Sequence, residues 1–310
     1  MQYVRARRFV AALFALSSVA SLAACGDAAA PSRPPEGAPS RAVSPGIGPT
    51  PSADQWRKLE RRFDARVGVH AVDTGTGREV TYKDRERFAH ASSFKALAVG
   101  AVLRTHTPEE REETVRFTRE DLVSHSPRTE QRTGSGMSLN ELCQAAIRFS
   151  DNTAANLLID RLGGPEGLEA ELRELGDDET RTDRKEPDLN DWTPGETRDT
   201  STPRALATGL RAYVLGDALG KGERTLLTQW LRNSTTGAGL IRAGVPESWL
   251  VGDKSGAGGT YGTRNDIAVL WPPHAAPIVV AIMSNRLDED ASYDDALIAE
   301  AASIVADAMS

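Results

Sequence analysis

The chain has 310 residues, 39% of them hydrophobic and 26% charged, a balance that suits a globular fold with one large domain or two interlocked ones. Its formal net charge is -7 and no segment carries a basic run, which excludes a nucleic-acid partner, since phosphate binding needs clustered Lys and Arg. The five histidines (His70, His90, His106, His125, His274) lack ligand spacing and the two cysteines form no cluster, so no metal and no other cofactor is expected.

Arg5, Arg7 and Arg8 precede an apolar stretch from Phe9 to Leu22 that is too short for a comfortable membrane span. It ends at Leu22-Ala23-Ala24-Cys25, which resembles the lipobox of bacterial lipoproteins, where the cysteine is lipidated and the chain is cut just before it. The alternative is a plain secretory signal cut among the alanines. Residues 1–24 are expected to be a lipoprotein signal peptide, leaving an exported protein held to the membrane through Cys25. Residues 25–52 are expected to be the lipidated cysteine and a tether. Gly26 to Ser52 holds seven of the 17 prolines and no apolar periodicity, so it cannot bury enough surface to fold. With Cys25 lipidated, Cys143 has no disulfide partner and is expected to be a small buried hydrophobe.

The folded part begins near Ala53. Trp56, Leu59 and Phe63 predict a helix over Gln55 to Phe63. Strands follow at Val67 to Asp73 and Arg78 to Tyr82, joined by a Thr74-Gly75-Thr76-Gly77 hairpin. From about Phe94 to Leu231 the pattern is mostly helical: Ala96 to Arg104, Leu139 to Phe149, Thr153 to Leu162, Pro165 to Leu175 and Arg204 to Val214. Strands return at Trp249 to Gly256, Arg264 to Trp271 and Ile278 to Ser284, and a helix from about Tyr293 to Met309 closes the chain. Strands at both ends imply one sheet built from distant segments, with a helical domain inserted. Residues 53–310 thus read as one domain of α/β (α+β) class. Its α/β part covers about 53–85 and 232–310, and its helical part about 86–231.

Ser92-Ser93-Phe94-Lys95 opens the first strong helix of the central region. Residues three apart share a helix face, so the Ser92 hydroxyl and the Lys95 amine can meet beside the unpaired N–H groups of the helix start. Ser150-Asp151-Asn152 lies between two helices, and Lys254-Ser255-Gly256 ends a strand before Ala257-Gly258-Gly259. Taken one at a time, these are ordinary caps and turns. In this order and spacing they resemble the S-x-x-K, S-D-N and K-[TS]-G elements of penicillin-recognising serine enzymes. Arg184-Lys185-Glu186-Pro187-Asp188-Leu189-Asn190, with Arg198 to Pro203 at the far end of the stretch 176–203, resembles the Ω-loop of class A serine β-lactamases. Asn156, Arg264-Asn265-Asp266 and Trp271-Pro272-Pro273 fit the same family.

The resemblance implies an antiparallel five-stranded sheet flanked by helices, an all-helical domain, and a cleft between them. It implies a monomer that takes a small β-lactam and hydrolyses it through an acyl-serine, conferring antibiotic resistance. Ser92 would attack the lactam carbonyl after Lys95, or Glu186 through a water, removes its proton. The N–H groups of Ser92 and Ala257 would form the oxyanion hole. Ser150 would pass a proton to the leaving nitrogen, with Lys254 nearby. Asn152 would hold the acylamide, Ser255 and Arg264 the ring carboxylate, and Glu186 with Asn190 the hydrolytic water. Gly256 belongs to the same binding strand, and His125 stands where relatives place an aromatic wall residue. Arg184 and Asp199 would clasp the neck of the Ω-loop, and Glu186-Pro187 would be cis as in relatives. Ser255 stands for the commoner Thr, and Ala257 lacks a side-chain hydroxyl, so strong carbapenem hydrolysis is not expected. The rivals are a D,D-peptidase or penicillin-binding protein, which shares the first three elements, and a non-catalytic lipoprotein that binds β-lactams or cell-wall fragments.

Overall fold

The computed structural model describes residues 50–310; the expected signal peptide, Cys25 and the tether as far as residue 49 lie outside the described residues. Ser52 caps helix α1 (Ala53–Phe63) by accepting a bond from Gln55 N, and Asp64 ends the helix in the left-handed conformation. Strand β1 (Arg66–Asp73) then turns through residues 74–77 into β2 (Glu79–Tyr82). The turn is held by the Asp73 carboxylate, which accepts bonds from Gly75 N and from Thr76.

The remaining strands come from the far end of the chain: β3 (Leu250–Ala257), β4 (Arg264–Trp271) and β5 (Ile278–Asn285). They complete a five-stranded sheet of order β2-β1-β5-β4-β3 in which every neighbouring pair is antiparallel, as expected. Strand β5 shows why its sequence is a continuous apolar run. Ile278, Val280 and Ile282 pack with α1 and the closing helix α8 (Asp295–Met309), while Val279, Ala281 and Met283 face the helical side. A strand covered on both faces reads as an apolar run rather than an alternation, and here the run from Ile278 to Met283 ends in the buried polar residues Ser284 and Asn285.

The helical side is built from α2 (Lys95–Thr105), α3 (Leu139–Arg148), α4 (Asn152–Arg161), α5 (Pro165–Glu174), α6 (Pro203–Val214) and α7 (Lys221–Arg232). Helix α2 is buried on all sides from Lys95 to Leu103, which explains its unbroken apolar run. Gly100 permits this: a Cβ there would fall 2.4 Å from the Tyr213 ring of α6. Cys143 is buried in the same cluster, and burial pushes its thiol up to about 12, consistent with an inert hydrophobe. No helix among the described residues is long and apolar enough to cross a membrane.

One expectation needs correcting. Ser92 does not open α2: residues Ala91–Phe94 form a 3₁₀ turn, and the α-helix starts at Lys95. Ala91 at φ 43° makes the chain turn sharply before Ser92, and Ser93 N bonds back to His90 O at 3.2 Å. Tertiary packing imposes the tighter turn, because the segment lies directly against the Gly256 backbone of β3.

Candidate active site

The 3₁₀ turn keeps Ser92 and Lys95 on one face, since residues three apart eclipse in that geometry. Both reach the same oxygen of Glu186: Ser92 Oγ donates to Oε1 at 2.8 Å, and Lys95 Nζ lies 3.0 Å from it. Asn190 Nδ2 donates to the other oxygen, Oε2, at 2.7 Å. Asn156 holds the Glu186 backbone at both ends, accepting from its N–H at 2.9 Å and donating to its carbonyl at 2.8 Å. The Glu186-Pro187 bond is cis.

Ser150 sits between two lysines. Lys254 Nζ donates to its Oγ at 3.0 Å, and Lys95 Nζ lies 3.4 Å from Oγ and 2.8 Å from the Ser150 carbonyl. Ser150 adopts a left-handed φ of 56°, a conformation that costs a non-glycine residue about 1–2 kcal/mol and here aims the hydroxyl between them. Asp151 caps α4 through Ala154 N and also accepts from Arg128 N, Thr129 N and Thr129 Oγ1, which anchors the loop. Asn152 Oδ1 accepts from Lys95 at 2.5 Å and its Nδ2 donates to Ser124 O at 2.9 Å, so one amide hydrogen remains for a ligand.

Both lysines are fully buried. Burial lowers the Lys95 ammonium against the opposing charges of Glu186 and Asp151. Burial, reinforced by the Lys95 charge, draws Lys254 down to about 7 against Asp266, Asp253 and Glu186. For Glu186, burial acts upward, but the Lys95 charge and the bonds from Lys95, Ser92 and Asn190 outweigh it and hold the carboxyl below its usual range.

Strand β3 supplies the opposite wall. Gly258 N bonds to Thr263 O, so residues 258 and 263 form a hydrogen-bonded pair. Antiparallel alternation then makes Ala257 and Arg264 a non-bonded pair and turns the Ala257 N–H away from β4. Because β3 is the sheet edge, that N–H points off the sheet, on the side where Ser92 lies. Gly256 permits the approach: a Cβ there would lie 2.9 Å from Ser93 N and 3.3 Å from Ser92 N.

Ser92, His125, Ser150, Asn152, Glu186, Asn190, Ser255, Ala257 and Arg264 line one cleft of about 330 Å³, together with Thr236 and Tyr293. His125 is exposed at φ 58°, and its Nε2 is 3.1 Å from Phe149 O. Arg264 is bound by both Asp295 oxygens, at 2.7 and 3.2 Å, and lies over the Tyr293 ring. Thr236 Oγ1 is 2.7 Å from Ser255 Oγ. Thr236, Tyr293 and Asp295 escape sequence reasoning, because each sits in an unpatterned loop or at a helix start and gains meaning only through its neighbour.

Residues 51–309 match the model of a family described as the β-lactamase enzyme family. The chain is 53% identical over 273 residues to a β-lactamase of Amycolatopsis lactamdurans, covering 88% of this chain and 89% of that one. The fold is similar to a crystal structure of a halotolerant bacterial β-lactamase (TM-score 0.80, 55% identity, 82% of this chain and 98% of that one). It is equally similar to the class A β-lactamase of Clostridium kluyveri (TM-score 0.80, 48% identity, 81% and 96%). The chain belongs to the class A β-lactamase family.

In this β-lactamase the Ω-loop is closed at its neck. Arg184 Nε meets Asp199 Oδ2 at 2.6 Å, and Asp199 Oδ1 accepts from Asp183 N and Arg184 N. Asp199 is fully buried, so this is not an exposed pair of small worth; a buried pair broken on one side typically costs about 3–5 kcal/mol. Thr260 Oγ1, in the β3–β4 turn, donates to Trp192 O and ties the loop to the wall facing it.

Proposed function

We propose that this β-lactamase opens the lactam ring of penicillins and cephalosporins through an acyl-serine intermediate, with Ser92 as nucleophile. β-Lactam hydrolysis itself follows from membership of the family. The observation that carries the residue-level reading is the convergence of the Ser92 hydroxyl and the Lys95 amine on one ionised oxygen of Glu186.

Ser92 gives up its proton toward Lys95 or Glu186 and attacks the lactam carbonyl. The oxyanion forms against the N–H groups of Ser92 and Ala257, a donor pair whose members are typically worth about 10²–10³ in rate each. Ser150, bonded to Lys254, protonates the departing nitrogen as the C–N bond breaks. Asn152 donates its free amide hydrogen to the acylamide, with His125 as the facing wall. Ser255, Thr236 and Arg264 bind the carboxylate beside the ring. Once acylated, Ser92 Oγ has no hydrogen to give, so Glu186 Oε1 is free to accept one from a water. Asn190 Oδ1, buried and without a partner, is placed to take the water's second hydrogen. Glu186 held in this way favours the hydrolase over the penicillin-binding alternative, whose acyl-enzyme persists.

The wild type is expected to hydrolyse a chromogenic cephalosporin repeatedly and to show no lasting adduct by mass spectrometry, and Ser92→Ala to do neither step. A stable penicilloyl adduct on the wild type would sink the reading.

The proposed location is extracytoplasmic, lipid-anchored at Cys25, supported by Leu22-Ala23-Ala24-Cys25 after a short apolar stretch. Cys25→Ala is expected to move activity from the membrane to the soluble exported fraction. An unmodified N-terminus downstream of Cys25 on the wild-type protein overturns this.

A further inference from the structure

Asp253 and Asp266 form a buried pair that the catalytic steps above do not use. Both carboxyls are fully buried, on the neighbouring strands β3 and β4, two residues out of direct register: Asp266 stands opposite Ser255, and Asp253 is two residues before it. Their side chains therefore share a face and are diagonal neighbours. The segment 236–242 closes over them; a Cβ on Gly237 would fall 1.8 Å from Asp253 Oδ2.

The charges around them are unequal. Asp253 Oδ1 is bonded by the Arg242 guanidinium, while the nearby Ser234 hydroxyl is buried without a hydrogen-bond partner. Asp266 has one donor, the backbone N–H of Ile241, at 3.1 Å to Oδ2. One oxygen of each carboxyl, Asp253 Oδ2 and Asp266 Oδ1, has no hydrogen-bond partner. The other charged groups nearby are committed elsewhere. Lys254 points to Ser150 and the Ser255 carbonyl, with Lys95 and Glu186 beyond it, and Arg264 is held by Asp295 of α8. Across β4, Asp266 faces Ile282 of β5, which brings no charge.

Two buried carboxylates with one guanidinium between them leave one charge uncompensated, and the least costly remedy in a dry site is a proton. We propose that Asp266 carries that proton at neutral pH and acts as a positioning residue, leaving a single carboxylate, Asp253, behind Lys254. Burial and the Asp253 charge both act in that direction, raising Asp266 well above the ordinary range of an aspartate. The consequence reaches the cleft through Lys254. A second negative charge there would strengthen the lysine's hold on its proton, and a pair with none would weaken it.

The test compares Asp266→Asn and Asp253→Asn in the intact enzyme by pH-dependent kcat/KM and by infrared spectroscopy at pH 7. Asn at 266 has the charge of a protonated Asp, so the alkaline limb is expected to stay where it is in the wild type. Asp253→Asn removes a real charge, so the limb is expected to move to lower pH by about one unit or more. The wild type should show the carbonyl band of a protonated carboxylic acid, lost in Asp266→Asn. Asp266→Ala, which strips a donor and an acceptor from the buried site, should lower Tm by about 2–4 °C or more, and Asn should restore it. The proposal is overturned if Asp266→Asn moves the limb as Asp253→Asn does, or if the band is absent from the wild type or survives in Asp266→Asn. The infrared arm decides the matter even if Asp253→Asn, having stranded Arg242, fails to fold.

Discussion

Replacing Glu186 by alanine is expected to separate the two halves of the reaction. In the wild type, Glu186 is the carboxylate that Ser92, Lys95 and Asn190 all address. Removing it takes away the charge that most opposes the effect of burial on Lys95. The amine then loses its proton more readily and can serve as base for Ser92, so acylation continues. Deacylation has no such substitute: Asn190 can orient a water but cannot take its proton. General-base catalysis is typically worth about 10²–10⁴-fold, and kcat is expected to fall by that order. One equivalent of penicillin should be consumed, with a persistent adduct at Ser92 that is absent in Ser92→Ala. Unchanged turnover in Glu186→Ala would place the deacylating base elsewhere.

The second large effect concerns Lys254. At about 7, its proton is present below neutral pH and lost above it. The protonated lysine is the group that donates to Ser150 Oγ, so in the proposed mechanism loss of the proton weakens the donor that supports proton delivery to the leaving nitrogen. The expected result is an alkaline limb in kcat/KM at about pH 7, since that parameter reports the free enzyme. In the Michaelis complex the substrate carboxylate at Ser255 and Arg264 adds negative charge beside Lys254, so the limb in kcat should lie at higher pH than the limb in kcat/KM. Lys254→Gln should lower kcat/KM by about 10²-fold and flatten this limb. Coincident limbs in the two parameters would argue that Lys254 does not sense the bound carboxylate.

Much of the fold was legible because it is written in local pattern. The buried face of α1 repeats at helical spacing, the 74–77 turn carries its glycines, and β5 is apolar from Ile278 to Met283, where helices cover both of its faces. The motif residues stand out in the sequence because the proposed chemistry demands particular side chains in particular loops. Ser92, Ser150, Glu186 and Lys254 lie far apart in sequence, and the sheet and helices bring them into one place. The Arg184–Asp199 clasp was anticipated from opposite charges at the two ends of one loop, and its burial gives it weight.

What local pattern cannot carry is direction and company. The 3₁₀ turn at Ser92 exists because Gly256 brings another strand against it, a contact some 160 residues away in the chain that no helix propensity registers. The outward aim of the Ala257 N–H depends on the parity of a strand register. The commitment of Arg264 to Asp295, the pairing of Thr236 with Ser255, and the company of Asp253 and Asp266 all join residues that are unremarked where they stand. Residue types and their order determined which chemistry the chain can perform, because nucleophile, base and acid must be particular side chains. Only the tertiary structure decided how those groups are charged and aimed. Desolvation and neighbouring charge act through space, and the cost of a buried proton or ion depends on what has packed around it.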